Sequence, residues 1–174
     1  MKRKIGAIEL LGFGVTSLGG TLLHYLYDFT GLILFAPFSG VNESTWEHMK
    51  LLFWPTFIFA IVQSFFFKEQ KDFWCVKVRG ALLGLSLIPI LFYTYIGIVG
   101  KSFDFINIAI FFIAGAIAYF YEWQLFKGEE VKCKNPRLAI LTLCIIALLF
   151  IVFTFAPPKI GIFMDPISGT YGIS

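Results

Sequence analysis

Charged residues are scarce in this chain of 174 residues: Asp, Glu, Lys and Arg make up 14% of it, whereas 58% is hydrophobic. A soluble domain typically has about a quarter of its residues charged, so the low charge argues against a water-soluble globular domain. The apolar residues form long runs separated by short charged linkers, which leaves little room for a second, soluble domain. The sequence therefore predicts a single transmembrane domain over residues 1–174.

Other common signals are also missing. The three cysteines, Cys75, Cys133 and Cys144, are odd in number and lack metal-ligand spacing, so a disulfide framework is not indicated. There is no internal repeat, and the basic residues do not form a face with interleaved aromatics, which argues against nucleic acid as a partner. The first apolar run follows a basic segment at residues 2–4 without a small-residue cleavage site, so we expect an uncleaved first helix.

What the sequence does have is a series of apolar runs long enough to cross about 30 Å of hydrocarbon. These runs predict an all-α, polytopic membrane helix bundle with about five transmembrane helices. Pro55 is expected to kink the second span, and the prolines after residue 155 are expected to end the fifth. The predicted spans cover residues 5–28, 44–67, 78–100, 105–126 and 138–155, followed by a C-terminal tail at 156–174.

The positions of Lys and Arg predict the orientation. Basic residues concentrate at the N-terminus, between the second and third spans and between the fourth and fifth, all on one side of a five-span chain. The positive-inside rule makes that side cytoplasmic. We therefore expect a multi-pass protein of the cell membrane, in contact with membrane lipids, with its N-terminus in the cytoplasm and its C-terminus outside. The oligomeric state stays open.

Two segments on the predicted outer side are unlike ordinary loops. Residues 29–41 are apolar but broken by glycine and proline, too short to span and too apolar to lie in water, so we expect them at the interface or dipping inward. The tail at 156–174 combines apolar residues with turn formers and is expected to fold back over the bundle.

Polar residues form a stripe near the end of the first span, where Ser17, Thr21, His24 and Asp28 fall at i, i+4, i+7 and i+11. The two small hydroxylated residues suit helix packing. His24 and Asp28 are different, because ionisable groups at this depth are costly to desolvate and usually face a bundle interior or a cavity. They are functional candidates.

The start of the second span has a polar cap on one side, formed by Glu43, Ser44, Glu47, His48 and Lys50. Ser44 with Glu47 three residues later also fits a capping box, in which a serine and a glutamate satisfy backbone N–H groups at a helix start. That interpretation leaves Glu43, His48 and Lys50 unexplained.

The first two spans are antiparallel neighbours, so these groups should converge. Two imidazoles and up to three carboxylates suit Zn²⁺ or another divalent metal, for which His24, Asp28, Glu47 and His48 are the expected ligands. Without a metal, the same groups could relay protons. Signatures such as H-E-x-x-H are absent, so spacing alone does not decide between these alternatives.

Two other groups of polar residues are notable. Ser44 lies one turn before His48, where a nucleophile or oxyanion donor could lie beside a base. At the cytoplasmic side, Glu9 and Glu122 lie about a turn inside the predicted boundary, with Arg79 at a similar level. We expect these three to form ion pairs.

The motif V-N-E-S-x-W-E-H-x-K at residues 41–50, with H-x-x-Y-D at 24–28 and F-x-D-P-x-x-G-x-Y-G-I at 163–173, resembles an uncharacterised family of small bacterial multi-span membrane proteins. The resemblance implies a membrane protein and no particular activity. A weaker similarity, carried by Ser44-x-x-x-His48, is to the intramembrane hydrolases of the alkaline ceramidase and progestin-receptor superfamily, which use Ser, Asp and His around zinc.

Two functions fit these features. The first is an outward-facing, metal-assisted hydrolase of a lipid or other amphiphile, in which His24, Asp28 and His48 activate water with Glu43 or Glu47 as general base. The second is an ion- or proton-linked binding or transport component, or an accessory membrane protein. The scarcity of charge near the bilayer midplane argues against a stand-alone transporter.

Overall fold

A computed structural model describes residues 2–128, 131 and 133–173. Met1, Glu129, Glu130, Lys132 and Ser174 lie outside the described residues, so the predicted basic linker and tail are described without Lys132 and Ser174. The described chain is all-helical, which confirms the predicted fold class. Its elements are α1 (Lys2–Thr30), α2 (Thr45–Ser64), α3 (Phe73–Val99), α4 (Asp104–Lys127), α5 (Pro136–Phe155) and a 3-10 turn at Gly161–Phe163.

Four of the helices in the described part of the chain, α1, α3, α4 and α5, are long and apolar enough to cross a membrane. α2 differs because Glu47, His48 and Lys50 occupy its first two turns. It packs against all four other helices and lies at the centre of the bundle. That α2 also crosses the membrane, as the fifth transmembrane helix, stays a prediction.

Successive helices run in opposite directions, which gives the bundle two faces. The ends of α2 and α4 lie beside the starts of α1 and α3, where Gln63 and Lys77 both approach Glu9. We call this side the N-terminal face. At the opposite side, which we call the C-terminal face, the start of α2 lies beside the ends of α1 and α5.

Small residues allow the helices to approach closely. Gly20 on α1 packs against Phe111 and the carbonyl of Leu51, and Gly84 on α3 packs against Leu52 and Ala118. A buried aromatic and aliphatic core fills the space between α2, α3 and α5, made up of Phe53, Trp54, Ala81, Leu85, Leu143, Ala147 and Phe150.

The connection between α1 and α2 folds inward along α2. The Lys50 ammonium donates to the carbonyl of Ala36 at 2.8 Å, and the Trp54 indole donates to the carbonyl of Pro37 at 2.9 Å. Because Trp54 lies nine residues after the start of α2, the connection reaches about 13 Å along that helix. Its other side is exposed at residues 32–34, next to the exposed Phe29 at the end of α1.

The C-terminal tail covers the start of α2. Phe163 is 5% exposed and packs against Trp46 and Phe153. The Asn42 side chain donates to the carbonyl of Gly172 at 2.9 Å. The tail thus packs over the helix ends, as its apolar residues and turn formers suggest.

A disulfide joins Cys75 to Cys133, with a Cα–Cα distance of 5.8 Å, and Cys144 is a free, exposed thiol. The expectation of no disulfide framework missed this bond. The linker after α4 passes the start of α3, where the Asp72 carboxylate accepts from the backbone N–H of Cys133 at 3.0 Å. Local spacing carries no information about this contact, because the two cysteines are 58 residues apart.

Candidate metal centre

Three of the predicted site residues converge at the C-terminal face. His24 Nε2 lies 3.8 Å from one carboxylate oxygen of Glu43, and His48 Nε2 lies 3.5 Å from the other. One ligand atom from each residue can be chosen so that all three lie within 4.8 Å of one another. The group combines the end of α1, the start of α2 and the residue just before the N-cap of α2.

The ring of His48 is oriented by its own helix. Its Nδ1 lies 3.0 Å from the carbonyl oxygen of Ser44, and since a carbonyl only accepts, Nδ1 carries the hydrogen and donates. Nε2 of the neutral ring then has a free lone pair directed toward Glu43. Two acceptors that face each other at 3.5 Å need a proton or a cation between them.

The Ser39 hydroxyl contacts the backbone of α1 beside His24. It donates to the carbonyl of Leu23 and accepts from the backbone N–H of Tyr27 at 2.9 Å, two groups that are partners in a regular helix. The backbone N–H of Gly40 also donates to the carbonyl of Leu23, at 3.3 Å. The inward-folding connection therefore holds the backbone on both sides of His24.

The surroundings of His24 leave one ring nitrogen without a partner. Among the described residues, Nδ1 is buried and has no hydrogen bond. Tyr25 stacks on the ring with 4.9 Å between centroids, and a Cβ at Gly40 would lie 3.4 Å from Nδ1. Gly40 therefore lets the backbone approach the imidazole closely.

The Glu43 carboxylate is the most accessible part of the group. Its side chain is 40% exposed, compared with 27% for His24 and 18% for His48. Asn42 sets the turn just before it, because its side-chain oxygen accepts from the backbone N–H of Ser44 at 2.9 Å. The group is thus open to the C-terminal face on one side and packed on the other.

Two predicted ligands lie outside the group. Glu47 is buried, pairs with the Lys50 ammonium and accepts from the backbone N–H of Val41 at 3.1 Å. Asp28 is exposed one turn after His24 and does not belong to the group of candidate ligand atoms. Only His24 and His48, of the four predicted metal ligands, meet here.

Ser44 has a structural contact that accounts for its hydroxyl. It is the N-cap of α2, and its oxygen accepts from the backbone N–H of Glu47 at 3.4 Å. Only half of the capping box is present, because the Glu47 carboxylate accepts from the backbone N–H of Val41 and not from that of Ser44. The residue is 1% exposed, so its hydroxyl is poorly accessible to a substrate.

The sequence alone assigns no role to Lys50. Its side chain is fully buried and contacts three segments: Glu47 on its own helix, the carbonyl of Ala36 in the connection, and Thr154 on α5 at 3.0 Å. A lysine three residues after a glutamate, followed by a long apolar run, is the signal that could have indicated this buried pair.

A second polar cluster lies near the N-terminal face, about 22 Å along α1 from His24. We call Glu9, Gln63, Lys77 and Glu122 the buried quartet; each is at most 2% exposed. Lys77 pairs with Glu122 and lies 3.6 Å from Glu9. The predicted ion pair with Arg79 is wrong, because Arg79 is exposed. Lys77, Gly80 and Gly84 share the buried side of α3, and Arg79 does not.

Comparison with known families gives one result over nearly the full length of the chain. Residues 4–173 match the model of DUF6512, described as a family of unknown function. No curated protein and no solved structure matches the chain.

Proposed function

This chain belongs to the DUF6512 family of unknown function, and we propose that it is a metal-dependent hydrolase that acts on amphiphilic substrates at the C-terminal face of the membrane. Its multi-helix, membrane-type architecture comes from the apolar helices described above.

The observation that carries the proposal is the convergence of His24, Glu43 and His48. Two imidazoles and one carboxylate form the donor set of zinc hydrolases that keep a fourth position open for water. Ligands that surround zinc tetrahedrally are about 3.3 Å apart, whereas the present donor atoms are separated by up to 4.8 Å. Closing the set on a tetrahedral ion would require these side chains to approach one another by up to about 1.5 Å.

The hydrogen bond at the other ring nitrogen supports a ligand role for His48. Its Nδ1–H bond to the carbonyl of Ser44 is the kind of contact that fixes the tautomer of metal-binding histidines. A bound divalent ion would lower the pKa of water and polarise a carbonyl or phosphoryl oxygen. Glu47 is not suited to act as base because Lys50 neutralises it. Asp28, exposed one turn beyond His24, is the carboxylate we assign to proton transfer.

The surface beside the site indicates the substrate class. Tyr25 is 60% exposed and Phe29 is 90% exposed, and the apolar residues 32–34 follow immediately. A polar site beside exposed apolar side chains at a membrane surface suits a molecule with a polar head and an apolar tail. The proposed substrates are therefore esters or amides of lipid-like molecules.

The transport alternative has weaker support. A hydroxyl network of Thr16, Thr56 and Tyr119 lies between the two polar clusters, with Thr16 2.7 Å from Tyr119. One turn closer to His24, however, Gly20 packs directly against Phe111 and the Leu51 carbonyl. This apolar packing separates the network from the candidate metal centre, as expected for a site that works at one face.

The test measures metal and activity separately. Protein purified without histidine tags or chelators is analysed for bound zinc, manganese, nickel and iron, and reconstituted protein is assayed on a long-chain fatty-acid ester. We expect about one metal per chain, lost in His48→Ala and Glu43→Gln. Asp28→Asn should keep the metal and lose most ester hydrolysis. Absence of metal uptake, even after equilibration with each of these ions, would overturn the proposal.

A further inference from the structure

The buried quartet joins four helices at one point. Glu9 on α1, Gln63 on α2, Lys77 on α3 and Glu122 on α4 are each at most 2% exposed. The Gln63 amide donates to one oxygen of Glu9 at 2.5 Å. The Lys77 ammonium pairs with Glu122 and lies 3.6 Å from the other oxygen of Glu9. None of these four residues takes part in the proposed hydrolase reaction.

Two carboxylate oxygens of the quartet lack a hydrogen-bond donor. Glu9 Oε2 and Glu122 Oε1 are buried and have no hydrogen bond among the described residues. The carboxyl groups of Glu9 and Glu122 are also within hydrogen-bonding reach of each other. An ionised carboxylate can only accept, so a hydrogen bond between the two requires a proton on one of them.

The formal charges of the quartet lead to the same requirement. Two ionised carboxylates and one ammonium would leave a net negative charge in the bundle, which is costly to bury. The neighbouring side chains that the structure describes do not add a second positive charge: the Tyr119 ring lies 4.9 Å from the Lys77 ammonium, its hydroxyl lies 2.7 Å from Thr16, and Leu143 of α5 is apolar. Paired carboxyl groups that cannot both ionise share one proton.

We propose that Glu9 and Glu122 hold one exchangeable proton between them, which makes the quartet a proton-binding site inside the helix bundle. With the proton bound, the quartet is neutral, because one ionised carboxylate balances the Lys77 ammonium. The proton also provides the missing donor between the two carboxyl groups. A metal cation does not fit, because it would lie beside the Lys77 ammonium and repel it.

The position of Glu9 indicates where the proton exchanges with water. Glu9 lies seven residues after the start of α1, about 10 Å along the helix. It also lines an open groove between α1 and α4, together with Gly6. In the opposite direction, Gly20 packs directly against Phe111, which closes the path toward the candidate metal centre. The shorter path to water leads to the N-terminal face, so proton binding does not depend on the proposed hydrolase activity.

The test counts protonated glutamic acids by infrared spectroscopy. Protein reconstituted in lipid at pH 7 is compared with protein that contains isotope-labelled glutamate, which identifies the carbonyl band of protonated glutamic acid. We expect about one protonated glutamic acid per chain, with a band that shifts in heavy water because the proton exchanges. Glu47, which is also buried, is paired with Lys50 and should be ionised. Absence of the band, or a band that does not shift after equilibration in heavy water, would refute the proposal.

Variants locate the proton. Glu9→Gln and Glu122→Gln each leave one carboxylate opposite Lys77, so the quartet is balanced without a proton and the band should disappear. Lys77→Met removes the ammonium, so both carboxyl groups need a proton and the band should roughly double. Glu69→Gln, at an exposed glutamate, is the matched control and should keep the band.

Each variant is decisive without the others, once circular dichroism shows that it is folded. A band that persists unchanged in Glu9→Gln or in Glu122→Gln places the proton elsewhere. A band that does not grow in Lys77→Met contradicts the charge balance on which the assignment depends.

Discussion

The Lys50 ammonium on α2 donates a hydrogen bond of 3.0 Å to the Thr154 hydroxyl on α5, and both residues are fully buried. The same ammonium pairs with Glu47 and donates to the carbonyl of Ala36. All three of its donors thus have an acceptor, each in a different segment. The start of α2, the end of α5 and the inward-folding connection are joined at this one charged group.

Replacing Lys50 should therefore destabilise the bundle. Lys50→Met leaves Glu47 buried without a counter-charge, which costs about 3–5 kcal/mol in similar pairs. The measurement is the unfolding transition in mild detergent, followed by circular dichroism. Adding Glu47→Gln to Lys50→Met removes the unpaired charge and should recover part of the loss. If the double variant is less stable than Lys50→Met, the ion pair is not the reason.

The contact between α3 and α4 requires glycine at position 80. A Cβ there would collide with the Glu122 side chain, which the buried pair with Lys77 holds in place. Gly80→Ala should lower stability by about 1–3 kcal/mol, as overpacking usually does. Gly97→Ala on the same helix is the control, because a Cβ at that position meets nothing within 4 Å. It should be neutral or slightly stabilising; equal losses in both variants would contradict the packing argument.

Metal retention should depend on pH in one direction. Histidine binds a metal only as the neutral imidazole, so protons compete with the ion and acidification favours release. We expect the metal content of the purified protein to fall as the pH is lowered from 7.5 to 5, and to recover when zinc is added at pH 7.5. Metal that stays bound at pH 5 would argue against a site made by His24 and His48. Glu47→Gln, outside the group, should leave this pH profile unchanged if the protein folds.

The predicted orientation is tested by labelling. In a Cys144→Ser background, a cysteine added after Ser174 should react with a membrane-impermeant maleimide in intact cells, because the C-terminal face is predicted to lie outside. Labelling of the added cysteine only after permeabilisation would reverse the topology.

The tail should contribute to stability through one side chain. Phe163 is buried between Trp46 and Phe153, and Phe163→Ala should cost about 3–5 kcal/mol, as truncations of buried phenylalanine do. Ile167→Ala removes a tail residue that is 78% exposed and should have little effect. The melting temperature in detergent checks both. Equal melting temperatures for Phe163→Ala and the unaltered protein would mean that the tail is only loosely attached.

The sequence was sufficient for the helices because their signal is local. Long apolar runs, and prolines after residue 155, determine where a helix can cross and where it ends. The convergence of His24, Glu43 and His48 could also be anticipated, because consecutive antiparallel helices bring the end of one beside the start of the next. These features depend on short stretches of chain and on one simple rule of connectivity.

The sequence could not show which of two possible partners each buried carboxylate pairs with. Glu47 had either a metal or Lys50 as a possible counter-charge, and Glu9 had either Arg79 or Lys77. In both cases the structure pairs the carboxylate with the lysine on the buried side of its helix. The rotation of each helix about its axis decides such a choice, and that rotation depends on packing with helices distant in sequence.

The bond between Cys75 and Cys133 turns residues 75–133 into a covalent ring that contains nearly all of α3 and the whole of α4. The exposed turn between these helices, at residues 100–102, lies within the ring. A single proteolytic cut there would open the ring without releasing either part, so the two fragments would migrate together until a reducing agent is added. While the bond is intact, α3 and α4 stay joined as one tethered hairpin during unfolding, whatever happens to the helices on either side.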